Sequence, residues 1–125
     1  MNHVHELTAV SLNQIAREVN LNNKQWWISL PGREPLKRNI GELLMLVTSE
    51  LAEALEGDRK DLMDDKLPHR KMFDVEIADA MIRLFDIAGA LIPEFGEIFM
   101  EKIIYNTNRA DHKPENRILE GGKKY

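Results

Sequence analysis

Apolar residues recur along this chain at intervals of three and four, and nowhere do they alternate with polar ones over the length of a strand. That pattern predicts helices and no sheet. The first run, Glu6 to Leu21, carries Leu7, Val10, Leu12, Ile15, Ala16 and Val19, and Asn20 to Asn23 supplies its stop. Trp26 and Trp27 follow, and Pro31-Gly32 marks a turn inside a basic connection holding Arg33, Lys37 and Arg38, which reads as a solvated loop. The second helix is predicted to start at Asn39 as N-cap, with Glu42 completing a capping box. Gly57 is expected to close it as a left-handed residue. Its apolar positions, Ile40, Leu43, Leu44, Leu46, Val47, Leu51, Ala54 and Leu55, cover a wide arc, so burial on more than one side is expected.

Asp58 to Lys71 is a charged connection with room for a short helical turn, and Pro68 is placed to open a third helix as its first residue. That helix carries Phe73, Ile77, Ala78, Met81, Ile82, Leu84, Phe85 and Ala88. Pro93 separates it from a fourth, roughly Glu94 to Arg109, with Phe95, Ile98, Phe99 and Ile103 on one side. The tail from Asp111 to Tyr125, with Pro114 and Gly121-Gly122, reads as irregular. The expectation is an all-α protein, a four-helix bundle forming one domain over residues 1–125.

Composition narrows the function classes. A net charge of −4 lacks the basic face of a dedicated nucleic-acid binder, while leaving room for small anionic ligands held by local cations or a metal. The absence of cysteine removes disulfides, thiolate zinc sites and thiol nucleophiles, and fits a reducing cytoplasm. No apolar run approaches the ~20 residues of a membrane span. The start, Met1-Asn2-His3-Val4-His5, does not have the form of a signal peptide, so a cytoplasmic protein is expected.

Four acidic residues stand where core-forming helices would not ordinarily put them. Glu50 and Glu53 on the second helix, and Glu76 and Asp79 on the third, each have i,i+3 spacing and so share a face. Their neighbours, Leu46-Val47 and Leu51-Ala52, Ile77-Ala78 and Met81-Ile82, are among the most apolar in the chain. If the two helices pack together, the carboxylates converge. Two unit charges ~4 Å apart repel by roughly 4 kcal/mol at an effective dielectric near 20, so such a cluster calls for protons or a divalent cation. An all-oxygen set suits Mg²⁺ or Mn²⁺ better than zinc or copper. The plain alternative is a solvated face, with an i,i+4 ion pair from Asp79 to Arg83. A di-iron site needs Glu-x-x-His motifs, and neither His69 nor His112 has a glutamate three residues before it.

On the fourth helix Lys102, Asn106 and Arg109 lie four and three apart on one stripe, with Tyr105 beside them. Lysine offers a point charge, arginine a bidentate fork and asparagine an amide, which together suit phosphate oxygens. Taken together, Glu50-Leu51-Ala52-Glu53, Glu76-Ile77-Ala78-Asp79 and the run KIIYNTNR from Lys102 to Arg109 resemble the ExxE, ExxD and KxxxNxxR signature of MazG-like, all-α nucleotide pyrophosphohydrolases. The likeness covers about half the chain, with a motif core at about 39–109. Where many members carry an extra acidic residue directly before each acidic motif, this chain has Ser49 and Val75.

The resemblance implies cleavage of a nucleoside triphosphate to the monophosphate and pyrophosphate. Glu50, Glu53, Glu76 and Asp79 would then hold Mg²⁺, and one of these carboxylates, with Glu53 the candidate, would accept a proton from water. Lys102 and Arg109 would neutralise phosphate charge and Asn106 would orient a ligand or the metal. It also implies a bundle completed by self-association, as a homodimer or homotetramer. Trp26 and Trp27 are candidates for stacking on the base, as against packing in the core or an interface. Two other expectations stand beside this one: a catalytically silent helical module that binds a nucleotide or a partner helix, and a structural bundle with solvated acidic pairs.

Overall fold

The computed structural model describes all residues, 1–125, and is all-helical with no strands. Its helices are α1 (His3–Asn22), α2 (Ile40–Lys60), α3 (Met72–Leu91), α4 (Phe95–Asn108) and the short α5 (Pro114–Arg117). Single 3₁₀ turns occupy Lys24–Trp26 and Ala110–His112. The tail expected to be irregular is therefore partly helical, with Pro114 at the first position of α5, where its missing N–H costs nothing. No helix is long and apolar enough to cross a membrane. The chain divides into two compact units, residues 15–93 and residues 1–14 with 94–125.

Within residues 15–93, α2 and α3 pack along one another in antiparallel fashion. Leu43, Val47 and Ala54 of α2 and Ala80 and Ala88 of α3 are buried. Asn39 caps α2, its side-chain oxygen accepting from the Glu42 amide at 3.0 Å. The reciprocal half of the expected capping box is replaced: Glu42 pairs with Arg38 at 3.8 Å. Gly57 does not end α2. The helix continues for another turn to Lys60, and Asp61 takes the left-handed cap at φ 51°. Gly57 has a packing role instead, since a Cβ there would lie 2.8 Å from the Met72 side chain.

Pro68 does not open α3 either. Asp64 Oδ2 accepts from the amides of Lys66 and Leu67 at 3.0 and 2.7 Å, an Asx-type turn. A bridge between Met63 and Lys71 closes this loop, so Pro68 sits inside it and α3 begins at Met72. The end of α1 crosses α3 at Gly89, where a Cβ would meet the Ala16 carbonyl oxygen.

Within residues 1–14 and 94–125, Asn13 supplies what the start of α4 lacks locally. Its Oδ1 accepts from the Gly96 amide at 2.7 Å and its Nδ2 donates to Glu97 at 2.8 Å. Two groups at the helix start are thereby partnered. Ala9 and Met100 are the buried apolar residues of this unit.

Candidate functional site

The antiparallel run of α2 against α3 brings the two acidic motifs together. Oxygens of Glu50, Glu76 and Asp79 all lie within 4.8 Å of one another, a grouping that could hold a metal ion. Glu76 is buried, with 8% of its surface exposed, and its Oε2 has no hydrogen-bond partner. Glu53 is the exposed member and stands outside that closest trio, although its carboxylate still acts on Glu76.

The electrostatics follow from this geometry. Burial pushes Glu76 up, hydrogen bonding and repulsion from Glu50 and Glu53 push it further, and it reaches about 8. Burial also raises Asp79, followed by the charges of Glu50 and Asp64, against a partial counterweight from Arg83. Glu50 goes the other way. Burial pushes it up, but the hydrogen bond with Glu76 and the Arg83 guanidinium outweigh that and hold it below its ordinary value. A carboxyl that keeps its proton near neutrality beside one that loses it readily is the signature of negative charge crowded without enough compensation.

Arg83 donates from Nε to Glu50 Oε1 at 2.9 Å. The i,i+4 pair from Asp79 to Arg83 that the sequence offered as a plain alternative is thus replaced by a tie across the helix pair. Ser49, which stands where an extra acid was noted as absent, turns its hydroxyl to the Leu46 carbonyl at 2.6 Å.

Beside the carboxylates opens a cavity of about 610 Å³, lined among others by Trp26, Leu43, Ile82, Glu50, Asp79 and Asp86. The two tryptophans have separate fates. Trp26 is exposed and lines the cavity. Trp27 is tied down: its indole N–H is shared by both Asp86 oxygens at 3.0 and 3.1 Å, and the Arg38 guanidinium lies 5.3 Å from its ring centroid. Arg38, read from sequence as part of a solvated loop, is consequently half-buried. Trp27→Ala is expected to lower stability by about 2–3 kcal/mol through lost packing and a stranded Asp86. Trp26→Ala should leave the melting temperature unchanged and, on the expectation that the cavity takes a base, raise the Michaelis constant about tenfold, since stacking on a base contributes ~1–3 kcal/mol. Thermal melts and saturation kinetics on both variants check this pair.

The third motif belongs to the other unit. Lys102 lies 4.7 Å from the Tyr105 ring centroid, with Arg109 5.8 Å from it on the same stripe of α4. Arg109 is already paired: Nε and Nη2 donate to Asp111 at 2.9 and 2.7 Å, and Lys123 adds a contact to the same carboxylate at 2.9 Å. The Asn106 side-chain oxygen is buried without a partner.

Sequence reasoning missed Asp86, Arg83 as the partner of Glu50, and Asn23 on the cavity wall. The first was visible in principle. Asp79, Arg83 and Asp86 are spaced four and three apart, a polar stripe continuing the acidic motif through an otherwise apolar helix. No protein-family model, curated protein or solved structure matches this chain.

Proposed function

We propose that the protein is a Mg²⁺-dependent nucleoside triphosphate pyrophosphohydrolase whose metal is held by Glu50, Glu76 and Asp79, with Glu53 at the margin. The observation that carries this reading is the trio of carboxylates within 4.8 Å, with an unpartnered oxygen on buried Glu76, at the edge of a cavity with an aromatic wall. The donor set fits a hard cation: all oxygen, carrying more negative charge than Arg83 alone offsets. When bound, Mg²⁺ would offset charge on the phosphates and acidify water.

The chain's own residues supply the rest. Arg83 holds Glu50 in place. Glu53, exposed and adjacent, can accept a proton from water. Trp26 offers a face for the base, and Leu43 and Ile82 add apolar wall to the same cavity. The resemblance assigns phosphate neutralisation to Lys102 and Arg109 and an orienting role to Asn106. Because Arg109 is paired with Asp111, that assignment requires the pair to open. The same pairing favours a second reading, a module that binds Mg²⁺-nucleotide without turning it over.

Pyrophosphate release from a panel of ribo- and deoxynucleoside triphosphates, with and without Mg²⁺, separates the two. Metal-dependent release supports the hydrolase; binding without release supports the silent module. We also propose that the helices complete their packing by self-association as a bundle of dimeric or tetrameric chains. No large side chain is fully buried, while Leu44, Met45, Leu51 and Leu55 of α2 are exposed. Light scattering should therefore give a multiple of 14.5 kDa, and a single-chain mass would sink the idea.

A further inference from the structure

Asp86 is a buried carboxylate that the proposed hydrolysis does not use. It is 8% exposed, it lines the cavity that also holds Glu50 and Asp79, and no cation of that cavity is committed to it. Arg38 is paired with Glu42 and Arg83 with Glu50. Its partners are neutral donors. Oδ1 accepts from Asn20 Nδ2 at 2.9 Å and from the Trp27 indole N–H at 3.0 Å, while Oδ2 shares only that same indole hydrogen, at 3.1 Å.

A carboxylate presents about four lone-pair sites and no donor. Oδ1 is nearly filled by two hydrogens, whereas Oδ2 has part of one. Asp86 therefore keeps spare acceptor capacity on the wall of a cavity that also offers the Trp26 ring. Neither Asn20 nor Trp27 can swing away cheaply, because each would leave a buried polar group unpaired. The acceptor is fixed before any ligand arrives.

An acceptor of this kind selects among bases. Cytosine and adenine carry an exocyclic amino group and guanine presents an amino group beside a ring N–H, all donors to a carboxylate. Uracil and thymine keep one donor, the ring N3–H, but set it between two carbonyl oxygens, one of them in the position of the cytosine amino group, and these repel the carboxylate. We propose that Asp86 is the specificity-determining residue of this cavity, favouring nucleotides whose base bears an exocyclic amino group. This rests on the nucleotide reading above. Cytosine and uracil make the cleanest comparison because they differ only at N3 and C4.

The test is the ratio of kcat/KM for dCTP over dUTP, in Mg²⁺, for the wild-type protein and for Asp86→Asn. A ratio of about 10 to 100 is expected for the wild type, the range that one well-made base contact supplies. In Asp86→Asn the side-chain oxygen can keep Trp27 and Asn20 while the new amide donates where Oδ2 accepted. The ratio should then fall to near one or invert. A purely structural Asp86 would instead lower both rates in proportion. If Asp86→Asn does not fold, the wild-type protein is assayed with the 2-pyrimidinone deoxynucleoside triphosphate, which lacks the amino group and should lose at least about tenfold against dCTP.

Turnover with no preference for dCTP, or an unchanged ratio in a folded Asp86→Asn, overturns this inference and leaves the hydrolase standing. If no nucleotide is hydrolysed, calorimetric binding of the α,β-imido analogues of dCTP and dUTP decides. Tighter binding of the cytosine analogue supports the role of Asp86 while the hydrolase reading falls. Equal binding, or none, overturns it.

Discussion

Glu76→Gln is expected to reduce Mg²⁺-dependent pyrophosphate release by at least about 10²–10³-fold, the scale on which single electrostatic groups act at a reacting centre. It should also remove the pH dependence that Glu76 is expected to give the wild-type protein. In the folded chain Glu76 sits at about 8, chiefly because of burial and then because of Glu50 and Glu53, against an ordinary value of 4.5. Between those two values the native state holds a proton that the unfolded state has released. Stability of the metal-free protein must therefore fall as pH rises through that window.

Glu50 contributes with the opposite sign and elsewhere. Its folded value is lowered, so its contribution is present above 4.5 and is lost as pH falls below it. Mg²⁺ competes with the Glu76 proton, so its affinity should climb about tenfold per pH unit until pH approaches 8 and then level off. At a hundredfold excess over its dissociation constant the metal should add about 2.7 kcal/mol of stability. Glutamine copies the shape of the protonated acid and never releases a proton. Thermal melts of Glu76→Gln at pH 5.5, 7 and 8.5 should lose the Glu76-linked decline and show no Mg²⁺ shift. A Mg²⁺ shift equal to that of the wild type would rule out Glu76 as a ligand. Asp79→Asn should lose turnover to a similar degree while still folding, and full activity there would be equally damaging.

The helices were legible because their signal is local. Three-and-four spacing, Asn39 at a cap and Pro93 at a break are all written in adjacent residues. The helix ends were less so, because tertiary contacts decided them. Gly57 looked like a terminator but is needed for the approach of Met72, and the Asp64 turn absorbs Pro68 before α3 can begin. The acidic trio could be anticipated from two i,i+3 pairs on apolar helices that pack together, whereas nothing in the sequence set Glu53, which stays exposed beside it, apart from the other three. Which partner Arg83 would choose was not legible. The i,i+4 neighbour on its own helix and Glu50 on the facing helix are equally reasonable from sequence, and only the packing of α2 against α3 decides. Trp26 and Trp27 are indistinguishable as adjacent letters. What separates them is Asp86, fifty-nine positions beyond Trp27.

That separation depends in turn on how closely α1 can approach α3, and Gly89→Ala is expected to show it. In an exposed helix interior this change would stabilise by about 1 kcal/mol through helix propensity. Here the new Cβ would lie 2.8 Å from the Ala16 carbonyl carbon and from the Asn20 Cβ, and closer still to the Ala16 carbonyl oxygen. Ala16 meets it with backbone, which cannot rotate aside as a side-chain tip could, so α1 and α3 must separate. Overpacking of this kind costs about 1–3 kcal/mol, enough to reverse the propensity gain. Separation also pulls Asn20 from Asp86 Oδ1, one of the two hydrogens that fix the carboxylate beneath Trp27. Gly89→Ala should therefore lower the denaturant midpoint and change the tryptophan emission. The neighbouring Ala90→Gly, at an exposed position in the last turn of the same helix, should cost no more than about 1 kcal/mol with the emission unchanged. If Gly89→Ala proved as stable as the wild type, the close crossing at Ala16 would be wrong, and with it the account of how Asp86 and Trp27 are held.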